Sequence, residues 1–174
     1  EIVRGARAML DDGALEGLTV DHVLGLHLSS SEPVGTVSVA EGPVMAATDS
    51  FRLLVRGRGG HAAYPHLCVD PIVAAAQLVT ALQTLVSRET DPLDRSVVTI
   101  TSVHAGTAYN IIPEEVELKG TLRTFDAGTR QRLRARLLEV AELTTRSLGC
   151  GLAHEWLEGA PAVVNDAAPP ARGR

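Results

Sequence analysis

The chain has 174 residues, 45% of them hydrophobic, enough for the core of one ordinary domain, or of one small domain with a piece of another, and too little for two large ones. Sixteen Lys and Arg against 21 Asp and Glu give a formal net charge of -5, which leaves no basic excess to neutralise nucleic-acid phosphates or to attract an anionic membrane surface. The richest apolar stretch, Pro71 to Val86, is interrupted by Gln77, Thr80, Gln83 and Thr84, too soon for a transmembrane helix, and Cys68 and Cys150, outside any CxxC or Cys/His cluster, make neither a disulfide scaffold nor a structural zinc site, so a soluble cytoplasmic protein is expected.

Ile2, Val3, Ala6, Met9 and Leu10 recur at helical spacing and predict a helix from Glu1 to about Asp12 that stops at Gly13. No initiator Met and no basic, apolar leader precede it, so the true start is expected upstream. Val23 to Leu28 is a nearly continuous apolar run, as expected of a strand buried on both faces of a parallel sheet, and His27 stands at its C-terminal end, where open α/β sheets gather ligands. Gly35 to Ala40 reads as another strand, and Gly42-Pro43 as a turn after it.

Residues 48 to 158 read as a separate unit. Phe51, Leu53 and Val55 alternate with Arg52 and Arg56 in a half-buried strand that ends at Gly57, Gly59 and Gly60. Asp70 caps a helix from Pro71 to Arg88, with Ile72, Ala75, Ala76, Val79, Leu82 and Val86 on its apolar face. Ser96 to His104, rich in Val, Ile and Thr, favours strand. Glu115 to Phe125 alternates cleanly, with Val116, Leu118, Gly120 and Leu122 on one face, which marks a one-sided antiparallel strand. Asp126 caps a second helix, Ala127 to Leu148, that turns Leu133, Leu137, Ala141 and Leu148 to the core and closes at Gly149; Leu152 to Glu158 is the last strand. The order β-α-β-β-α-β is the split βαβ arrangement of an α+β, ferredoxin-like sandwich. Beyond it, Asn165 to Arg174 has no apolar periodicity and two prolines, the mark of a tail or of a truncated continuation.

The sharpest local signal is Gly57-Arg58-Gly59-Gly60-His61-Ala62-Ala63-Tyr64-Pro65-His66, a glycine-rich turn with two histidines directly after a strand. It is no phosphate loop, because no helix follows the glycines at once and no Lys ends them. Ala105 to Pro113 joins two strands by a loop longer than a hairpin needs, and long loops on a scaffold often carry function; Asn110 within it is either functional or a turn residue. Arg123 lies on the polar face of its strand, either merely solvated or, as a guanidinium, a partner for a substrate carboxylate.

Three stretches together, Gly57 to His66 with Val69-Asp70-Pro71-Ile72 behind it, Ala105 to Glu114, and Gly120-Thr121-Leu122-Arg123-Thr124, resemble the lid or dimerisation domain of the aminoacylase and carboxypeptidase type of dinuclear metallohydrolases, most of all hippurate hydrolases and plant auxin-conjugate amidohydrolases. The likeness runs from Glu1 to about Asp166. It implies a lid inserted in a split α/β catalytic domain, here 1–47 (end of the first catalytic segment), 48–158 (lid) and 159–174 (start of the returning segment or a tail), with the chain a fragment. By the same resemblance, Glu1 corresponds to a metal-binding glutamate whose preceding general base is absent, and His27 to a metal ligand. His61 corresponds to a histidine that crosses the dimer to stabilise the oxyanion, and Asn110 and Arg123 to positions associated with the substrate carboxylate and the transition state. The implied activity is amide hydrolysis of N-acyl or N-aroyl amino acids by two divalent cations, Zn, Mn, Ni or Co, with no organic cofactor, in a homodimer built through the lid. The family's remaining Cys and His ligands have no counterpart in this chain, and a fragment inactive by itself is expected. The competing readings are a non-catalytic dimerisation or small-ligand-binding domain, and an RNA-binding domain of the same strand order; 3% aromatic residues and an acidic charge set the latter aside.

Overall fold

The computed structural model describes residues 5–167. A short helix α1 (Gly5–Asp11) is followed by strands β1 (Gly42–Met45), β2 (Ala47–Arg56) and β3 (Gly60–His61), helices α2 (Pro71–Leu82) and α3 (Thr84–Ser87), strands β4 (Ser96–Ala105), β5 (Ile111–Ile112) and β6 (Glu115–Thr124), helix α4 (Ala127–Ser147), and strands β7 (Gly151–Glu158) and β8 (Val163–Asn165). Four long strands form an antiparallel sheet in the order β4-β6-β2-β7, with β2 and β6 central and in continuous register from Ala47↔Thr124 to Arg56↔Glu115. This is the α+β ferredoxin-like sandwich expected from the sequence.

The alternation of β2 and β6 decides which face is covered. Phe51, Leu53 and Val55 point to the same side as Val116, Leu118 and Leu122, and α2 and α4 close over them with Leu78, Leu82, Leu133, Leu137 and Ala141, all buried. Each fully buried leucine contributes roughly 1.5 to 3 kcal/mol of burial free energy. Gly120 is required in this layer: a Cβ there would lie 2.3 Å from Phe51 Cζ and 2.6 Å from the Thr99 carbonyl oxygen. Both helices are capped as their sequences demand. Asp70 accepts from the Ile72 and Val73 N–H groups at 2.8 and 3.4 Å, and Asp126 accepts from the Thr129 N–H at 2.7 Å.

Four expectations are corrected. The helix drawn from Pro71 to Arg88 is interrupted at Gln83, where Thr84 Oγ1 donates back to the Ala81 carbonyl at 2.7 Å. Its buried stripe is Ala74, Ala75, Leu78 and Leu82, continued by Leu85 of α3, whereas Ile72 and Ala76 face outward and Val79 is half-buried. Val23 to Leu28 and Gly35 to Ala40 are not strands: the run is exposed, with Leu24 at 96% and Leu26 at 90%, because a strand buried on both faces needs neighbours on both edges and none of the described strands lies beside it. Gly42-Pro43 opens a strand instead of a turn, pairing with Asn165 and Val164 of β8, so the two chain segments that flank the sandwich leave it side by side.

Candidate functional site

The glycine-rich segment leaves β2 at Gly57, whose N–H donates to the Glu114 carbonyl at 2.8 Å. Arg58 and Val69 then exchange two backbone hydrogen bonds, which pin the loop to the start of α2. Beyond them β3 and β5 pair as Gly60↔Ile112 and His61↔Ile111, and the Ala62 N–H donates to the Asn110 carbonyl at 2.9 Å. Gly59 makes that ribbon possible, since a Cβ there would stand 2.6 Å from the Ile112 carbonyl oxygen. Two loops far apart in sequence are thereby stitched together, and His61 and Asn110 come to lie at one tip of the sandwich, both exposed.

The protonation of His61 follows from its neighbour. The Ala63 N–H donates to His61 Nδ1 at 3.1 Å, so Nδ1 is the acceptor, and a neutral ring carries its proton on Nε2, a donor turned away from the backbone. The ring leans on Tyr64 at 5.5 Å between centroids, and Tyr64 in turn meets the edge of His66 at 6.3 Å.

His27 has the opposite arrangement. Its Nδ1 lies 2.6 Å from the Leu28 carbonyl, which can only accept, so Nδ1 carries the proton and the Nε2 lone pair is left for a ligand. His27 sits on the exposed segment between α1 and β1, outside the described helices and strands. Glu1 lies outside the described residues. Among the described residues no three His, Cys, Asp or Glu side chains gather to hold a metal ion.

Arg123 is at the other end of the sandwich. It stands opposite Thr48 and Val97 at the end of β6 where the flanking segments join, half-buried, with one weak bond from Nη1 to the Leu122 carbonyl at 3.5 Å and no ion pair among the described residues. With about 3.3 Å per strand residue, the eight steps from Glu115 to Arg123 separate it from the tip's end of the sheet by about 26 Å.

Several charged groups escaped the sequence reading. On the open face of the sheet Glu117 is held between Lys119, at 2.8 Å, and Arg52, and these hydrogen bonds, first that from Lys119, lower its carboxyl to about 2. On the helix side the buried Asp49 receives two bonds from Arg130, at 2.7 and 2.8 Å, while Arg134 lies 3.8 Å from it and stacks on Trp156. The signal for this pair was present: Asp49 occupies the same face of β2 as Phe51 and Leu53, a position that demands a cation. Cys150 is buried, which pushes its thiol upward, as does the charge of Asp70. No helix among the described residues is long and apolar enough to cross a membrane.

Residues 48–146 match the family of peptidase dimerisation domains of the M20 type. The chain is 42% identical over 166 residues to an N-acetylcysteine deacetylase of Bacillus subtilis, covering 95% of this chain and 43% of the relative. It is 39% identical over 168 residues to an IAA-amino acid hydrolase of the ILR1-like type from Arabidopsis thaliana, covering 95% and 38%. Among solved structures it superimposes on a dinuclear metal binding peptidase of the M20 family from Bacillus subtilis with a TM-score of 0.71 and 36% identity, covering 95% of this chain and 40% of that one. The chain thus spans about two fifths of the length of these relatives.

Proposed function

The chain belongs to the M20 peptidase family, comprising its dimerisation domain with flanking parts of the catalytic domain, and on that premise we propose that it serves a metal-dependent amidohydrolase that cleaves N-acyl or N-aroyl amino acids as a homodimer. The observation that carries the reading is the tip itself: His61, fixed as an Nε2–H donor, stands on a backbone ribbon that also brings the Asn110 loop to it, so a donor suited to a developing oxyanion is preorganised on a rigid scaffold with Asn110 nearby in the chain path. Arg123, a guanidinium without an acidic partner among the described residues, is suited to the substrate carboxylate. His27 fits a metal ligand through its free Nε2. The divalent pair, when bound, supplies Lewis acidity to the scissile carbonyl and an acidified water. Residues 1–47 and 159–174 are then the parts of the catalytic domain that flank the lid, and the exposed apolar run from Val23 to Leu28 is the part of it that the remaining catalytic segments would cover.

The geometry also supports the dimer. In an N-acyl amino acid the carboxylate and the scissile carbonyl are neighbours, whereas Arg123 and the His61 tip are at opposite ends of the sheet. One active site holds both only when they come from different subunits, Arg123 beside its own catalytic segments and His61 with Asn110 from the partner. An interface is at hand. The outer edge of β4 is unpaired among the described strands, and beside it Ile72, Ala76 and Val79 of α2 line an apolar groove of about 360 Å³ with Val103 and Ala105. The test is hydrolysis of hippurate and N-acetyl amino acids by the whole enzyme containing this chain, loaded with manganese or zinc. Chelator-sensitive turnover is expected; no turnover of any N-acyl amino acid by the metal-loaded dimer would overturn the proposal.

A further inference from the structure

His61 stands in water, and an exposed imidazole has no reason of its own to keep one orientation. Roughly three staggered wells at χ1 and about two at χ2 give it about six, of which one aims Nε2–H at a given point. The Ala63 N–H selects among them through Nδ1 at 3.1 Å, but water competes for that nitrogen, and a single exposed hydrogen bond restrains a ring weakly. The second restraint is Tyr64. Its ring lies against that of His61 at 5.5 Å between centroids and 52° between planes, and it meets His66 in an edge contact at 6.3 Å. Tyr64 is itself fixed to the loop. Its N–H donates to the His61 carbonyl at 2.9 Å, and its own carbonyl accepts from the Leu67 N–H at 3.0 Å and from the Cys68 thiol at 3.7 Å. The same thiol lies so close to Gly60 that a Cβ there would stand 2.7 Å from Sγ, and Arg58 Nε closes the turn by donating to the Leu67 carbonyl at 3.2 Å. The chain before and after His61 therefore rests on one packed turn.

Resting on the reading that His61 donates to the oxyanion, we infer that Tyr64 is a positioning residue whose ring holds the His61 imidazole in the orientation that presents Nε2–H to the reacting carbonyl. Tyr64 does not touch the reacting atoms. It spares the reaction the cost of orienting the donor, which acts on kcat and leaves substrate affinity alone. An imidazole freed to sample about six orientations points correctly about one time in six, so the loss is about five- to tenfold, well short of the two to three orders of magnitude expected when the donor is gone. The contact is made by the ring and not by the hydroxyl, so phenylalanine can replace it.

The experiment measures kcat and KM in the whole, metal-loaded enzyme, with an N-acyl amino acid that the wild type hydrolyses, for wild type, Tyr64→Ala, Tyr64→Phe, His61→Ala and the variant carrying both His61→Ala and Tyr64→Ala. Tyr64→Ala is expected to lower kcat about five- to tenfold with KM within about twofold, and Tyr64→Phe to keep the wild-type kcat. On the His61→Ala background, Tyr64→Ala should change kcat by less than about twofold, because a side chain that acts only through His61 has nothing left to position. An equal fall on both backgrounds, as a merely structural role would give, overturns the inference, and so does an unchanged kcat in Tyr64→Ala or a Tyr64→Phe enzyme as slow as Tyr64→Ala. A measurement on the wild type needs no variant to fold: in enzyme labelled selectively at His and Tyr, the ring protons of His61 and Tyr64 should cross-relax, and their failure to do so also overturns it. His61→Ala with a wild-type kcat overturns the oxyanion reading and the inference together. The full loss in His61→Ala beside an unaffected Tyr64→Ala removes the inference alone.

Discussion

Two backbone groups, the Ala63 N–H and the Leu28 carbonyl, assign opposite tautomers to His61 and His27. A ring nitrogen that accepts from an amide has no proton to give, and one that faces a carbonyl must supply one, so the outward Nε2 is a donor in His61 and a lone pair in His27. The first suits an oxyanion, the second a cation. Long-range proton–nitrogen NMR spectra of the neutral imidazoles in this chain should therefore show His61 carrying its proton at Nε2 and His27 at Nδ1. In the whole enzyme the same difference separates two variants. His27→Ala should lower bound metal together with activity, while His61→Ala should retain its metal and lose about two to three orders of magnitude in kcat, the range for a lost oxyanion donor. Metal analysis beside steady-state kinetics checks this, and a His61→Ala enzyme that has shed its metal would contradict the division of roles.

At the scale of elements, α2 has two apolar faces, one buried against the sheet and one left largely exposed beside the β4 edge. Leu78 is fully buried against the sheet, so Leu78→Ala should destabilise the domain by about 2 to 5 kcal/mol, whereas Ile72, exposed beside the β4 edge, should tolerate Ile72→Ser with little loss of monomer stability and a clear loss of dimer. Denaturant titration and sedimentation of the two variants separate the effects. The double stripe also explains what the sequence could disclose. Periodicity and caps located the helix, since Asp70-Pro71 is an unambiguous start, yet Ile72 is as apolar as Leu78 and Leu82, and no period distinguishes an apolar face that packs against the sheet from one that stays exposed. The long strands of the sandwich were legible for a related reason: β2 and β6 carry their own alternation, β4 is rich in Val, Ile and Thr, and Gly120 falls on the inner face of β6 where Phe51 needs space. Val23 to Leu28 was misread because its composition describes an environment, a sheet on both sides, that the described residues do not contain. The ribbon of β3 and β5 has two residues per strand, too few for any pattern, so the motifs around His61 and Asn110 could be singled out in sequence but their union could not.

The whole molecule poses a geometric constraint that a subunit-mixing experiment can decide. Arg123 stands where the flanking segments leave the sandwich together, and His61 stands at the far tip. Suppose His61→Ala subunits are mixed with Arg123→Ala subunits and allowed to exchange. If each active site takes Arg123 from its own chain and His61 from its partner, a mixed dimer collects both lesions in one site and leaves the other intact. If both residues serve their own chain, or both serve the partner, every site in the mixed dimer carries one lesion and nothing is restored. Random exchange at equal concentrations makes half of the dimers mixed, each with one sound site of two, so activity should rise to about a quarter of wild type from near zero in either parent. Recovery of that size requires the two residues to come from different subunits. Mixed dimers that form, as native mass spectrometry would show, and yet remain inactive would place His61 and Arg123 in the same subunit's service, and a distance of about 26 Å along the sheet would then have to be closed within one chain.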